Sequence, residues 1–178
     1  PEVIIVDDIY RNDELYDGKS WKIKKFPGGG GFNGVDKIRV KKGKCEHMTN
    51  TLYHEYQHFR APKRVEESWA ENEQNAYELT ARWGSALGMP TRPGFIKTTK
   101  TGEKQVDNKV VDRTVNKYPG ISTKSKEQIL ARVGADKVKV KMADGSKIVR
   151  KAKKGDLVPG SMRVVNPKSI NKKHWKCP

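Results

Sequence analysis

The chain has 178 residues, a formal net charge of +16 and a hydrophobic fraction of 34%. That length suits one compact domain or a small domain with an appended lobe. No apolar run approaches the roughly 18 residues of a membrane-spanning helix, and no signal-peptide pattern stands at the start, so no transmembrane segment is expected.

The chain opens at Pro1 rather than at methionine, which leads us to expect a processed or excised piece of something longer. Its charge is divided sharply. Residues 1–90 carry 14 Lys+Arg against 14 Asp+Glu, and residues 91–178 carry 23 against 7. The break predicts a core over 1–90 and a basic C-terminal lobe over 91–178 packed on it. The two cysteines, Cys45 and Cys177, either close one long-range disulfide or remain two thiols.

In chain order, the β-branched run Glu2–Val6 reads as a buried strand, and Pro27–Gly31 as a flexible glycine-rich loop. Val35–Val40 follows as a strand, placed at a sheet edge by its lysines. Thr49 or Asn50 can cap a helix ending at Arg60, two residues before Pro62. A second helix starts at Ser68, with Glu71 completing a capping box, and runs to about Leu87, where Gly88 stops it. Thr91–Asn108 reads as a linker and Lys126–Val133 as a short helix after Ser125. Lys137–Met142 and Lys147–Ala152, joined by Ala143–Ser146, form a hairpin with lysines on one face and Val138, Val140 and Met142 on the other. The four tryptophans, Trp21, Trp69, Trp83 and Trp175, are expected as core or interface anchors. The fold class is therefore α+β.

The first helix carries His54-Glu-Tyr-Gln-His58. Residues i and i+4 lie about 40° apart on a helix, so His54 and His58 point the same way and can meet one ion. Glu55 stands about 100° round from His54, able to reach a water beside the ion without binding the ion itself. Leu52, Tyr56 and Phe59 fall on the other side, where the helix can pack on a sheet. His47 lies seven residues before His54 and is expected at the surface, ahead of the helix.

Helical phase on the second helix puts Glu73 among Trp69, Ala76, Tyr77, Thr80, Gly84 and Leu87, in the stripe that faces the interior. A buried unpaired carboxylate costs several kcal/mol, so Glu73 needs a cation. An ion held by His54 and His58 would serve; an ion pair with Arg60 or Arg64 is the alternative. Glu66 and Glu67, nearer in sequence to His58, remain alternative third ligands.

These motifs, H-E-x-x-H at 54–58 and Glu73-Gln-Asn-Ala-Tyr77 on the next helix, resemble the gluzincin branch of the zincin metallopeptidases over residues 35–88. The resemblance implies a zincin-like core that binds zinc through His54, His58 and Glu73. It also implies hydrolysis of a peptide bond in a peptide or protein substrate, with Glu55 as general base. Tyr77 is the first candidate for an oxyanion donor, with Tyr53 and Tyr118 also available. The strand Val35–Val40 would accept an extended substrate.

A basic piece with a peptidase core and a cysteine near each end also resembles the C-terminal toxin domains of secreted bacterial effectors. That resemblance implies delivery by a larger carrier and neutralisation by an immunity protein. Eight basic residues, Lys137, Lys139, Lys141, Lys147, Arg150, Lys151, Lys153 and Lys154, crowd the predicted hairpin. Stacking aromatics are scarce there, with Phe95, Tyr118 and Trp175 alone after residue 90. The cluster can serve a nucleic acid, an anionic envelope or acidic protein, or solubility. The non-enzymatic alternative is a basic nucleic-acid-binding module with a structural metal or none.

Overall fold

The computed structural model describes residues 1–61, 68–89, 91–92, 94–118 and 127–169. The elements run β1 (Glu2–Val6), β2 (Asp8–Tyr16), β3 (Trp21–Pro27), β4 (Gly30–Phe32), β5 (Lys37–Lys41), α1 (Cys45–Arg60) and α2 (Trp69–Ala86). There follow β6 (Ile96–Thr98), β7 (Lys104–Val106), α3 (Asn108–Val115), β8 (Gln128–Val133), β9 (Lys137–Lys141), β10 (Lys147–Lys151), β11 (Leu157–Val158), β12 (Met162–Val165) and β13 (Lys168–Ser169). Helices and several small sheets mix in one α+β arrangement, as the sequence predicts.

The sheet nearest the helices has the order β13-β1-β5-β4, with β1 and β5 parallel and the outer pairs antiparallel. Val6, Ile38 and Val40 are fully buried. The strand expected at an edge is β5, and it is internal. Its lysine-bearing positions alternate with Ile38 and Val40, so one face is buried while both edges are paired. The edge belongs to β4, drawn from the segment expected to be a loose loop. Glycine is what allows this. A Cβ on Gly30 would meet the Thr51 side chain on α1 and, at 2.8 Å, the Arg39 carbonyl.

β2 pairs with β3 along one edge and with β11 and β12 in succession along the other. The break between β11 and β12 falls at Gly160, whose N–H donates to Asp13 Oδ1 at 2.8 Å. Asp13 is fully buried and also accepts two 2.6 Å bonds from Arg11 Nε and Nη2. The long β2–β3 hairpin gave little sequence signal, because polar and charged residues interrupt its alternation.

Strands from the basic half thus complete sheets begun by the first half: β13 joins β1, and β11 and β12 join β2. β8, β9 and β10 form a separate antiparallel sheet of order β10-β9-β8. Val138 and Val140 there pack with Tyr16, Ile129 and Ala152. The β9–β10 hairpin stands as expected, its turn closed by Asp144 accepting from the Ser146 N–H at 2.9 Å.

Three expectations need correction. Residues 128–133 are strand, not helix: pairing with β9 and burial of Ile129 override local propensity, and Gly134 (φ +76) turns a hairpin instead of ending a helix. Ser125 and Lys126 lie outside the described residues. The expected linker holds the β6–β7 hairpin and leads into α3, whose strands of three residues are too short to carry a period. Finally, Trp83 is 46% exposed and not a core anchor, whereas Trp21 donates from Nε1 to the Ala135 carbonyl at 3.0 Å.

The close approach at Gly160 can be tested. A Cβ there would run into the Asn12 backbone carbonyl, whereas one at Gly31 would meet only the end of the Met162 side chain. Gly160→Ala should therefore cost about 1–3 kcal/mol or more, and Gly31→Ala clearly less. Denaturant unfolding of the two variants checks this; equal losses would mean that Gly160 is not tightly seated against β2.

Candidate metal centre

Helix α1 begins at Cys45, ahead of the expected cap, from an extended Lys44 that makes no side-chain capping bond. Asn50 does not cap it; its Nδ2 donates instead to the Glu46 carbonyl, 3.0 Å away. His47 consequently lies in the first turn and is exposed. The helix is turned so that His54, Glu55 and Gln57 are buried, while Tyr56 and Phe59 are each 36% exposed. This reverses the expected packing: the polar side of α1 faces inward, between β4–β5 and α2. Phe59 still meets Phe32 edge-on, with ring centroids 5.8 Å apart.

Helix α2 starts as its sequence predicts. Ser68 Oγ accepts from the Glu71 N–H at 3.2 Å, and the Ser68 N–H donates to Glu71 Oε2 at 3.0 Å. This fixed start sets the phase that carries Glu73 inward. Tyr77 and Ala81, one and two turns on, bury with Ala70 against Phe95 and with Val111 and Val115 of α3.

The two helices bring three side chains together. Glu73 Oε2 lies 3.3 Å from His54 Nε2, and Oε1 lies 3.4 Å from His58 Nε2. The two Nε2 atoms are 3.3 Å apart. Two imidazoles and a carboxylate in this arrangement could hold a metal ion. Hydrogen bonds alone leave the cluster frustrated. A proton on each Nε2, donated to Glu73, would set two N–H groups against each other.

Burial opposes ionisation of Glu73, but hydrogen bonds and charge from His54 and His58 outweigh it, and its carboxyl titrates far below the ordinary range. Burial likewise works against a charged His58, and the Glu73 carboxylate overcomes it to raise the imidazole pKa. The site is built around positive charge. Arg60 is exposed, and the partners of Glu73 are the histidines; Arg64, Glu66 and Glu67 lie outside the described residues.

Glu55 sits beside this cluster, buried, with its pKa raised by desolvation against the opposing pull of His54 and His58. The Phe32 backbone N–H donates to its carboxylate. On β4, the Gly29 carbonyl accepts from Lys41 and the Asn33 N–H donates to Lys37, both toward β5. Alternation therefore turns the polar groups of Gly30 and Phe32 to the free edge, where Glu55 takes the Phe32 N–H. Edge strand, Glu55 and histidine pair line one cleft of about 890 Å³, which also includes Arg11, Trp69, Arg92, Lys117 and Tyr118.

Side chains of α2 hold the histidines in place, and Asn72 among them is one that the sequence did not single out. Asn72, one helical turn from Ser68 on α2, hydrogen-bonds His58 through its side chain. The Tyr77 ring lies against that of His54, centroids 4.2 Å apart. Its hydroxyl bonds to that of Tyr118, and the Arg92 guanidinium lies 5.0 Å from its ring centroid. Desolvation raises the Tyr77 pKa strongly. Tyr77 is thus a wall of the site with its hydroxyl engaged by Tyr118. His54 Nδ1 is buried without a partner among the described residues. Cys45 is disulfide-bonded; the other cysteine, Cys177, lies outside the described residues, as does Trp175.

Loss of an outer hydrogen bond to a liganding histidine typically costs about 10–100-fold in metal affinity. Asn72→Ala should show a loss of that size in competition with a chromophoric chelator; unchanged affinity would separate Asn72 from the site. No protein-family model, no curated protein and no solved structure matches the chain.

Proposed function

We propose that the chain is a zinc-dependent metallopeptidase. The observation that carries this reading is the convergence of two helical imidazoles and an inward glutamate, with a second, buried carboxylate next to them. Zinc–nitrogen and zinc–oxygen distances of about 2.0–2.2 Å at tetrahedral angles imply ligand atoms roughly 3.3–3.5 Å apart. The two Nε2 atoms here are 3.3 Å apart, and each has a different oxygen of Glu73 beside it, Oε2 at 3.3 Å from His54 and Oε1 at 3.4 Å from His58. When bound, zinc supplies Lewis acidity to a substrate carbonyl and to water at its open fourth position.

The remaining work falls to the chain. Glu55, its pKa raised by burial, takes a proton from the attacking water and passes it to the leaving amine. The free edge of β4 receives an extended peptide by strand addition, through the Gly30 N–H and C=O and the Phe32 C=O. The absence of a side chain at Gly30 lets that peptide lie close to α1. A disulfide-bonded Cys45 accords with an oxidising compartment and so with export or delivery as a bacterial effector.

Protein purified without chelator should carry about one equivalent of zinc, as read by plasma emission spectrometry. His54→Ala, His58→Ala and Glu73→Gln should each lose it, and Glu73→Asp should not restore it fully. Glu67→Gln should keep it. A metal-free wild type, or loss in Glu67→Gln with retention in Glu73→Gln, would sink this ligand set.

Glu55→Gln removes the base and leaves all three ligands. It should retain the metal while cleavage of a mixed peptide library, followed by the new amino termini it releases, falls by about 10²–10⁴-fold. Full activity in that variant would remove Glu55 from the proton transfers.

A further inference from the structure

The β8–β9–β10 sheet hides one face and offers the other. Val138 and Val140 of β9 are fully buried. Alternation therefore turns Lys137, Lys139 and Lys141 to the opposite face. Register places Lys147 of β10 across from Lys141, Val149 across from Lys139 and Lys151 across from Lys137. On the other side of β9, Gln128, Ala131 and Val133 stand beside Lys141, Lys139 and Lys137. The outer face is thus a flat field of five lysines with no carboxylate.

Such a field is unfavourable by itself. Like charges directly opposite one another on a sheet are destabilising, and both Lys147–Lys141 and Lys151–Lys137 are directly opposed. Glu127 and Asp156 are both engaged by Arg150, which is paired with Val138 and so belongs to the other face. Among the described residues no ion pair involves Lys137, Lys139, Lys147 or Lys151. Lys153 and Lys154, both exposed, follow the end of β10.

The two lysine pairs are four residues apart along the strands, roughly 13–14 Å. That span is close to the major-groove width of duplex DNA, about 12 Å, so each pair can reach the phosphates of a different strand. The face carries no Arg, Asn or aromatic side chain to read or stack on bases, and Gln128 stands at one corner only. It also lacks the aromatic or leucine anchors that would insert into a bilayer; Val149 and Val133 are its apolar members. We propose that this face binds duplex nucleic acid through its phosphates, without reading sequence.

Fluorescence anisotropy with two unrelated duplexes of about 20 base pairs, between roughly 50 and 200 mM salt, tests the proposal. Five phosphate contacts predict a slope of log K against log salt of about −4 to −5, the same for both duplexes. The variant K137Q/K139Q/K147Q/K151Q should reduce the slope to about −1 and weaken binding to both duplexes alike. Circular dichroism and melting confirm that it is folded, and if it is not, the K139Q/K151Q variant should lower the slope by about 2. Unchanged slope and affinity in the folded variant overturn the proposal. So does a marked preference for one duplex, or binding of wild type to phosphatidylglycerol vesicles but not to DNA. Because the assay needs neither metal nor His54, failure of the peptidase reading leaves this result standing.

Discussion

The structure is organised around a carboxylate held between two imidazoles. Glu73 projects from one helix and His54 and His58 from another, and the three groups share a largely buried volume in which no single charge would be stable. An isolated buried carboxylate costs several kcal/mol, and breaking a buried pair leaves that cost unpaid. The crossing of α1 and α2 is therefore tied to this cluster. The capping box at Ser68 fixes where α2 begins, and so where Glu73 points. One and two turns further along α2, Tyr77 and Ala81 meet the α3 valines and supply the apolar contact that keeps the helix from turning.

The glycine-rich segment is the second constraint. β4 lies against α1 because Gly30 has no side chain to separate them, and this brings a free strand edge beside Glu55. The Phe32 N–H bonded to Glu55 ties the edge to that carboxylate directly. Backbone from the sheet and carboxylates from both helices thus meet in one cleft. The same principle acts at Gly160, where the break between β11 and β12 lets a backbone N–H reach the buried Asp13.

Charge is divided by face as well as by sequence. The site lies in the part of the chain whose charges balance, while the lysine field lies on a sheet whose inner side is apolar. Yet the two halves are not separable strand by strand, since β11, β12 and β13 complete sheets begun at the N-terminus. The lysine face and the cleft beside the histidine pair are consequently carried by one interlocked framework.

The sequence by itself determined what depends on local geometry. The i, i+4 histidines, the capping box, the inward phase of Glu73 and the β9–β10 hairpin all follow from the periods of helix and strand, and each stands as read. Tertiary structure decided what depends on partners distant in the chain. Residues 128–133 became a strand because β9 was available to pair with them. β5 became internal because β4 covered its edge, and α1 turned its histidine side inward because α2 supplied a carboxylate to meet it. Asn72, Phe32 and the Tyr77–Tyr118 contact were invisible for the same reason. Their roles come from what folding brings beside them, and no local period records that.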